Sequence, residues 1–298
     1  MKQHDKGSSY QLLRVISQDP KILFNLVKNE LKGSKISFNS NEILQPSQSN
    51  NNESTIEEFI QGIVSEFPKL DFNSLQSWWA SVKQKPSWDF ISTCNIDGRK
   101  GILLVEAKSH YDEMEVGGKT ILVDLKNRVH SEETRAAIKK MLKRASLDLK
   151  LTPKELSRLL IFLASSSSLD DKLLKSCLDK LKHHDKIGDA ISEARGAISH
   201  FCSGIKISRD NHYQLSNRIA YTWKLASMGI PTILLYLGFI NDPAWRSEHN
   251  QFVSEAKWIE ATNNYFESVG ASELLRKKKI ALANGIPMYY CMSSLGAE

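Results

Sequence analysis

The apolar positions of this chain follow two different periods, which predicts a protein of both helices and strands. Spacings of three and four residues predict helices over 10–31, with a break near Pro20, and over 54–67, 75–82, 214–228 and 248–269. Residues 131 to about 202 show the same helical spacing. Strands are predicted in both halves of 88–109 and over 120–125, 232–239 and 287–292, where apolar or β-branched residues run together. The expected fold class is therefore α/β.

A polar segment, QPSQSNNNES from Gln45 to Ser54, is the best linker candidate in the chain. It divides the sequence into an N-terminal helical extension, residues 1–50, and an α/β domain, residues 54–298. The long helical pattern inside that domain predicts a large helical insertion at about 127–205.

The segment 88–109 predicts the register of a β-hairpin as well as its presence. Asp97-Gly98 is a strong two-residue turn, so the residues on either side of it pair. Counting outward along both strands places Asp89 opposite Glu106, with Cβ atoms about 4.5–5.5 Å apart on one face. Lys108 projects from that same face because side chains alternate along a strand. Three charged side chains are therefore expected together at one end of the hairpin.

These three charges have a chemical and a structural interpretation. Adjacent carboxylates repel each other unless a cation joins them, and hard oxygen ligands suit Mg²⁺ or Mn²⁺. A metal held this way activates water and neutralises phosphate, and Lys108 would orient or deprotonate the water or stabilise developing negative charge. Alternatively, Lys108 only offsets two acids on a surface strand. The chemical interpretation is favoured by the run Gly101–Val105, which is apolar on both faces, with charges only at its end.

Pro86-Ser-Trp-Asp89, followed by Val105-Glu106-Ala-Lys108, resembles the motif of the PD-(D/E)xK nuclease superfamily. The resemblance implies a restriction-endonuclease-like mixed β-sheet flanked by helices, and metal-dependent cleavage of nucleic acid, most simply as an endonuclease. It also implies that Asp89 and Glu106 bind the metal together with the backbone carbonyl of Ala107, and that Lys108 serves the water.

The same family often carries a glutamate on the helix before the sheet. Glu58 and Glu57 are the candidates for this further metal ligand, with Glu66 as a third. The alternative is that both acids of the first turn only stabilise a capped helix N-terminus.

A helix and a strand after the motif are also expected, and residues 212–239 fit that description. His212 and Gln214 at the start of this helix are candidates for contacts to nucleic acid. The alternative is a capped and solvated first helical turn.

Charge and composition point to the same kind of partner. The 298 residues carry a net charge of +6, with a sequence pI of about 9.0, which favours an anionic partner. A basic region in the predicted insertion would contact phosphates without reading sequence; its candidate residues are Lys139, Lys140, Lys143 and Arg144. The N-terminus has no apolar signal core, the four cysteines form no CxxC pair, and no apolar run is long enough for a bilayer. A cytoplasmic protein without a membrane partner is expected.

Three functions remain open from the sequence. The first is a Mg²⁺- or Mn²⁺-dependent nuclease that acts on DNA in preference to RNA. Because cutting both strands usually needs two sites, a homodimer is a candidate assembly for it. The second is a nuclease-fold module that binds nucleic acid without cutting it, although an intact trio argues against it. The third is an unrelated α/β protein whose hairpin charges are structural.

Overall fold

The computed structural model describes residues 7–47, 50–79, 85–118, 171–245 and 250–297. In these parts of the chain the protein is a mixed α/β structure, with eight α-helices and one large mixed β-sheet. The helices are α1 Ser8–Gln18, α2 Lys21–Glu30, α3 Ile56–Gly62, α4 Phe72–Trp78, α5 Asp171–Ile198, α6 Tyr213–Ser227, α7 Glu255–Ser268 and α8 Ser272–Lys277. The strands are β1 Ile36–Ser37, β2 Leu44–Gln45, β3 Ser54–Thr55, β4 Ser87–Trp88, β5 Phe90–Ile96, β6 Arg99–Lys108, β7 Thr232–Ile240, β8 Lys279–Ala281 and β9 Pro287–Gly296.

Six strands of the sheet lie in the order β1-β5-β6-β7-β9-β8, and β2 pairs with β5 next to β1. The strands β6, β7 and β9 are parallel, and the remaining pairs of this sheet are antiparallel. The short strands β3 and β4 form a separate antiparallel pair. Ligands of open α/β sheets bind outside the carboxyl ends of parallel strands, so the ends of β6 and β7 are the place to look for a site.

The β5–β6 hairpin has the predicted register. Its ladder runs from Ile96↔Arg99 to Phe90↔Val105, which is the pairing that a two-residue turn imposes. Asp97 and Gly98 both have positive φ, 51° and 77°, as the tight hairpin turn requires. Gly101 is needed for a different reason, since a Cβ there would lie 2.6 Å from the carbonyl oxygen of Pro231.

The sheet is covered on both faces. The alternation of β6 sends Leu103 and Val105 into a core with α1 and α2, and Ile102 and Leu104 into a larger core on the other face. Continued to the end of the strand, this alternation puts Glu106 and Lys108 on the side of the larger core, to which α6 belongs. Both charged residues are therefore carried into the interior by a strand whose other residues anchor it.

The N-terminal 50 residues are part of this architecture. The predicted break at Pro20 separates α1 from α2, and both helices pack on the sheet through Leu12, Leu23 and Val27. The same segment also supplies β1 and β2, which the sequence did not predict. The linker candidate Gln45–Ser54 runs from the end of β2 to the start of β3.

Several predicted elements are shorter than expected. The helix predicted over 54–67 ends at Gly62 and continues as a 3₁₀ turn, and the helix predicted from 248 begins at Glu255. The predicted strand 120–125 and residues 127–170 of the predicted insertion lie outside the described residues, together with Lys139, Lys140, Lys143 and Arg144. Among the described helices, none combines the length and apolarity needed to cross a membrane.

Candidate active site

The three hairpin charges lie at the rim of the sheet where β6 runs parallel to β7. Glu106 and Lys108 are the last buried charges of β6, at 0% and 4% exposure, and their side chains form an ion pair with Nζ 2.5 Å from Oε1. Asp89 lies between β4 and β5, and its Oδ2 accepts a hydrogen bond of 2.7 Å from the backbone N–H of Ala107. The contact places Asp89 beside Glu106, as the hairpin register predicts.

A fourth charged residue, Arg218 of α6, completes the cluster. Its Nε donates to Glu106 Oε2 at 2.5 Å, so Lys108 and Arg218 each bind one oxygen of the same carboxylate. The guanidinium lies over the ring of Trp88 at 4.3 Å, and Arg218 as a residue is 5% exposed. A cation stacked on an indole and bonded to a carboxylate is held in position from two directions.

The cluster shifts its two acids in opposite directions. The pKa of Asp89 is raised to about 8, chiefly by burial and then by the nearby charge of Glu106, against the charges of Lys108 and Arg218. Burial also raises the pKa of Glu106, but the charges of Arg218 and Lys108 outweigh burial and hold that pKa below its usual range. Without a further cation, the site thus keeps Glu106 ionised and favours the proton on Asp89.

The two candidate helix glutamates, both in the first turn of α3, have different surroundings. Glu58 is exposed and forms a capping box with Thr55, whose backbone N–H donates to the glutamate at 3.0 Å while the Glu58 N–H donates to the threonine hydroxyl at 3.2 Å. The structure therefore places Glu58 in the helix cap, which was the alternative interpretation. Glu66 pairs with Lys100 on the surface, at 3.5 Å.

Glu57 points inward instead. It is 4% exposed, lies 3.1 Å from Lys85, and accepts a hydrogen bond of 3.2 Å from the hydroxyl of Tyr221. Burial raises the pKa of Glu57, against the charge of Lys85. An aromatic cluster of Trp79, Trp88 and Tyr221 lies beside it, and their packing is the core role expected of such side chains.

Glu53 is a third acid near Asp89 that the sequence did not single out. It is exposed, it precedes β3, and its Oε2 accepts a hydrogen bond of 2.7 Å from Ser87 at the start of β4. Its charge adds to the raised pKa of Asp89. The pairing of β3 with β4 brings these residues together. Glu53 lies in a polar segment without a strand pattern, so this contact could not be predicted from the sequence.

His212 and Gln214 lie at the start of α6, and Gln214 precedes Arg218 by one turn. His212 is the N-cap residue of α6 and has a left-handed backbone, φ 47°; it is 8% exposed, and its buried Nδ1 has no partner among the described residues. Burial lowers the pKa of His212. The side-chain oxygen of Gln214 is also buried and, in the described parts of the chain, unpaired. Their predicted contacts to nucleic acid remain predictions.

The oxygen atoms at the rim are of the kind that a divalent ion prefers as ligands. Asp89 and Glu106 supply two carboxylates, and Ala107 supplies a carbonyl on the same side of the strand as the N–H that Asp89 binds. The raised pKa of Asp89 marks a place where an added positive charge would be stabilised. No group of three or more His, Cys, Asp or Glu side chains with ligating geometry occurs among the described residues, so the carbonyl and water would complete the shell. Arg218 would have to release Oε2.

The comparisons with known proteins give no family for this chain. No protein-family model, curated protein or solved structure matches it.

Proposed function

We propose that the protein is a Mg²⁺- or Mn²⁺-dependent nuclease with a restriction-endonuclease-like core. The observation that carries the proposal is the convergence of Asp89, Glu106 and Lys108 at one rim of a parallel strand pair. The two acids come from opposite sides of a hairpin turn, and one of them has a raised pKa. Perturbed acids at such a rim are typical of functional sites.

Each residue of the rim has a defined role in this proposal. A divalent ion held by Asp89, Glu106 and the Ala107 carbonyl would lower the pKa of a bound water and offset charge on a phosphodiester. Lys108 keeps one ammonium hydrogen on Glu106 and has two others for the attacking water or for the developing negative charge. The backbone N–H of Ala107 positions Asp89, and the ring of Trp88 holds the guanidinium of Arg218 beside Glu106.

The fold and the composition support nucleic acid as the substrate. A mixed sheet with helices on both faces is consistent with the restriction-endonuclease-like architecture. The net charge of +6 favours a polyanion. Cys94, Cys202 and Cys291 are buried free thiols, in keeping with a cytoplasmic protein.

A plasmid-nicking assay with Mg²⁺, Mn²⁺ or EDTA tests the proposal. We expect nicking with either metal, none with EDTA, and none for Asp89→Asn or Lys108→Met. Lys257→Met is the matched control, because Lys257 also pairs with a glutamate but is exposed and outside the site. A single-stranded RNA of equal length separates the two substrates. Nicking that persists in folded Asp89→Asn contradicts the proposal.

One observation favours a second candidate, a module that binds nucleic acid without cutting it. Lys108 and Arg218 together neutralise Glu106 and occupy both of its oxygens. If that arrangement is permanent, the rim is a closed ion cluster and binds no metal. Isothermal titration with Mn²⁺ separates the candidates, since a module of this kind takes up none while still retarding DNA on a gel.

A further inference from the structure

The most unusual feature of the rim is that Arg218 is bonded to a carboxylate oxygen of Glu106 that the proposed metal ion would need. Oε1 of Glu106 is bound by Lys108 and Oε2 by Arg218, both at 2.5 Å. A metal ion bound at Oε2 would compete with the guanidinium for that oxygen, because two cations in contact with one oxygen repel each other. The structure thus contains an internal cation where the proposed function needs an external one.

Arg218 also has hydrogen-bond donors that are unpaired among the described residues. Its Nε binds Glu106 and its Nη1 donates to Asn217 at 3.1 Å. Nη2, which carries two N–H groups, has no partner among the described residues. A guanidinium with a free edge is suited to a phosphate, which it can bind through two hydrogen bonds.

Trp88 limits how far the guanidinium can move. The ring lies 4.3 Å from the central carbon of the guanidinium, and Trp88 is fully buried next to Asp89. A small shift across the ring would break the bond to Oε2 while keeping the cation–π contact. The freed group would still lie at the rim, beside the acids.

We infer that Arg218 is the phosphate-binding residue of this site and is held on Glu106 until a divalent cation takes its place. The inference rests on the proposed function and extends it by naming the phosphate group as the ligand of Arg218. Metal and phosphate then bind with positive coupling, because the first releases the group that binds the second. Lys108 stays on Oε1 throughout.

The test measures Mn²⁺ and inorganic phosphate binding by isothermal titration, without nucleic acid. Arg218→Met removes the competing cation and keeps the apolar stem over Trp88, so we expect it to bind Mn²⁺ about tenfold more tightly than the parent protein. The Mn²⁺-loaded parent should bind phosphate at least about tenfold more tightly than Mn²⁺-loaded Arg218→Met. Arg209→Met is the control, since Arg209 is a buried arginine 2.8 Å from Asp185, and it should leave Mn²⁺ affinity unchanged.

Each outcome decides the inference. Mn²⁺ affinity equal to or below that of the parent in folded Arg218→Met overturns it, and so does undiminished phosphate affinity. If neither protein binds Mn²⁺, the metal site and the proposed nuclease fail together, whereas a parent that binds Mn²⁺ with no gain in the variant contradicts the inference alone. If Arg218→Met does not unfold cooperatively, Arg218→Lys retains the charge that Glu106 needs but lacks the Nη2 donors. Its Mn²⁺-loaded form should then lose phosphate affinity about tenfold, and parent-like phosphate binding would refute the assignment.

Discussion

The carboxylate of Asp89 is bonded to the backbone N–H of Ala107, the residue between Glu106 and Lys108. This one contact fixes the acid at the sheet rim without using its charge, because an amide oxygen would accept the same bond. Its burial and its acidic neighbour nevertheless make ionisation costly there. The position is therefore built for an acid whose charge is unfavourable unless a cation is supplied.

Asp89→Asn should stabilise the protein in EDTA at alkaline pH. The pKa of Asp89 is raised to about 8 from 3.8, so its contribution to stability is present in acid and is lost as pH rises through about 8. Asparagine keeps the bond to Ala107 and has no charge to bury. We expect the melting temperature of Asp89→Asn to exceed that of the parent at pH 8–9, with a gap that closes toward pH 4.

Differential scanning fluorimetry in EDTA measures this gap. Asp112→Asn, at an exposed aspartate outside the rim, is the control and should follow the pH dependence of the parent. Adding Mn²⁺ at pH 8 should raise the melting temperature of the parent but not that of Asp89→Asn. A gap that is constant with pH would mean that ionised Asp89 is already compensated in the metal-free protein.

The predictable part of this site is the part that local turn chemistry specifies. Asp97-Gly98 sets the hairpin register, and every pair from Ile96↔Arg99 to Phe90↔Val105 follows from it. The alternation along β6 then places Glu106 and Lys108 on one face. These are short-range relations, so one sequence is sufficient to derive them.

The contact of Arg218 with Glu106 could not be derived in that way. The two residues are 112 positions apart, and their meeting depends on the parallel pairing of β6 with β7 and on the rotation of α6 over the sheet. Helical periodicity indicates that Arg218 lies one turn after Gln214 but gives no information on which strand the two residues face. The choice between Glu57 and Glu58 could be predicted more easily. Thr55 followed three residues later by Glu58 is a capping-box pattern, which assigns Glu58 to the helix cap.

Glu106→Gln should destabilise the protein strongly. It leaves Lys108 and Arg218 buried without their shared carboxylate, and breaking a buried ion pair from one side costs about 3–5 kcal/mol. Urea unfolding followed by tryptophan fluorescence measures the free energy of unfolding. The same substitution at Glu260, in an exposed pair with Lys257, should change it by less than about 1 kcal/mol. Equal effects at both positions would show that the rim cluster contributes no more than a surface pair.

Glu53→Gln should weaken Mn²⁺ binding, whereas Glu58→Gln should not. The charge of Glu53 reaches Asp89, but Glu53 is exposed, so we expect only a twofold to about fivefold loss of affinity that disappears in 0.5 M NaCl. Glu58→Gln keeps an acceptor for the capping box but removes an acid from the helix N-terminus, so it should instead cost about 0.3–1 kcal/mol of stability. Titration calorimetry and urea unfolding of both variants give a crossed pattern. Loss of metal affinity in Glu58→Gln, with Glu53→Gln unchanged, would reverse the assignment of the two acids.

Lys85→Met should destabilise the protein more at neutral pH than in acid. Among the described residues, Lys85 is the one that forms an ion pair with the buried Glu57, 3.1 Å away, and methionine preserves its length without its charge. Burial raises the pKa of Glu57, and removing Lys85 raises it further, so protonation compensates for the lost cation only below that raised pKa. The stability deficit should therefore be smallest near pH 4, before Glu57 ionises, and grow as pH rises.

Urea unfolding at pH 4, 5.5 and 7 measures the deficit, and the double variant Lys85→Met/Glu57→Gln should remove its pH dependence. A deficit that is the same at all three pH values, or that persists unchanged in the double variant, would mean that Lys85 contributes through packing and not through the charge of Glu57.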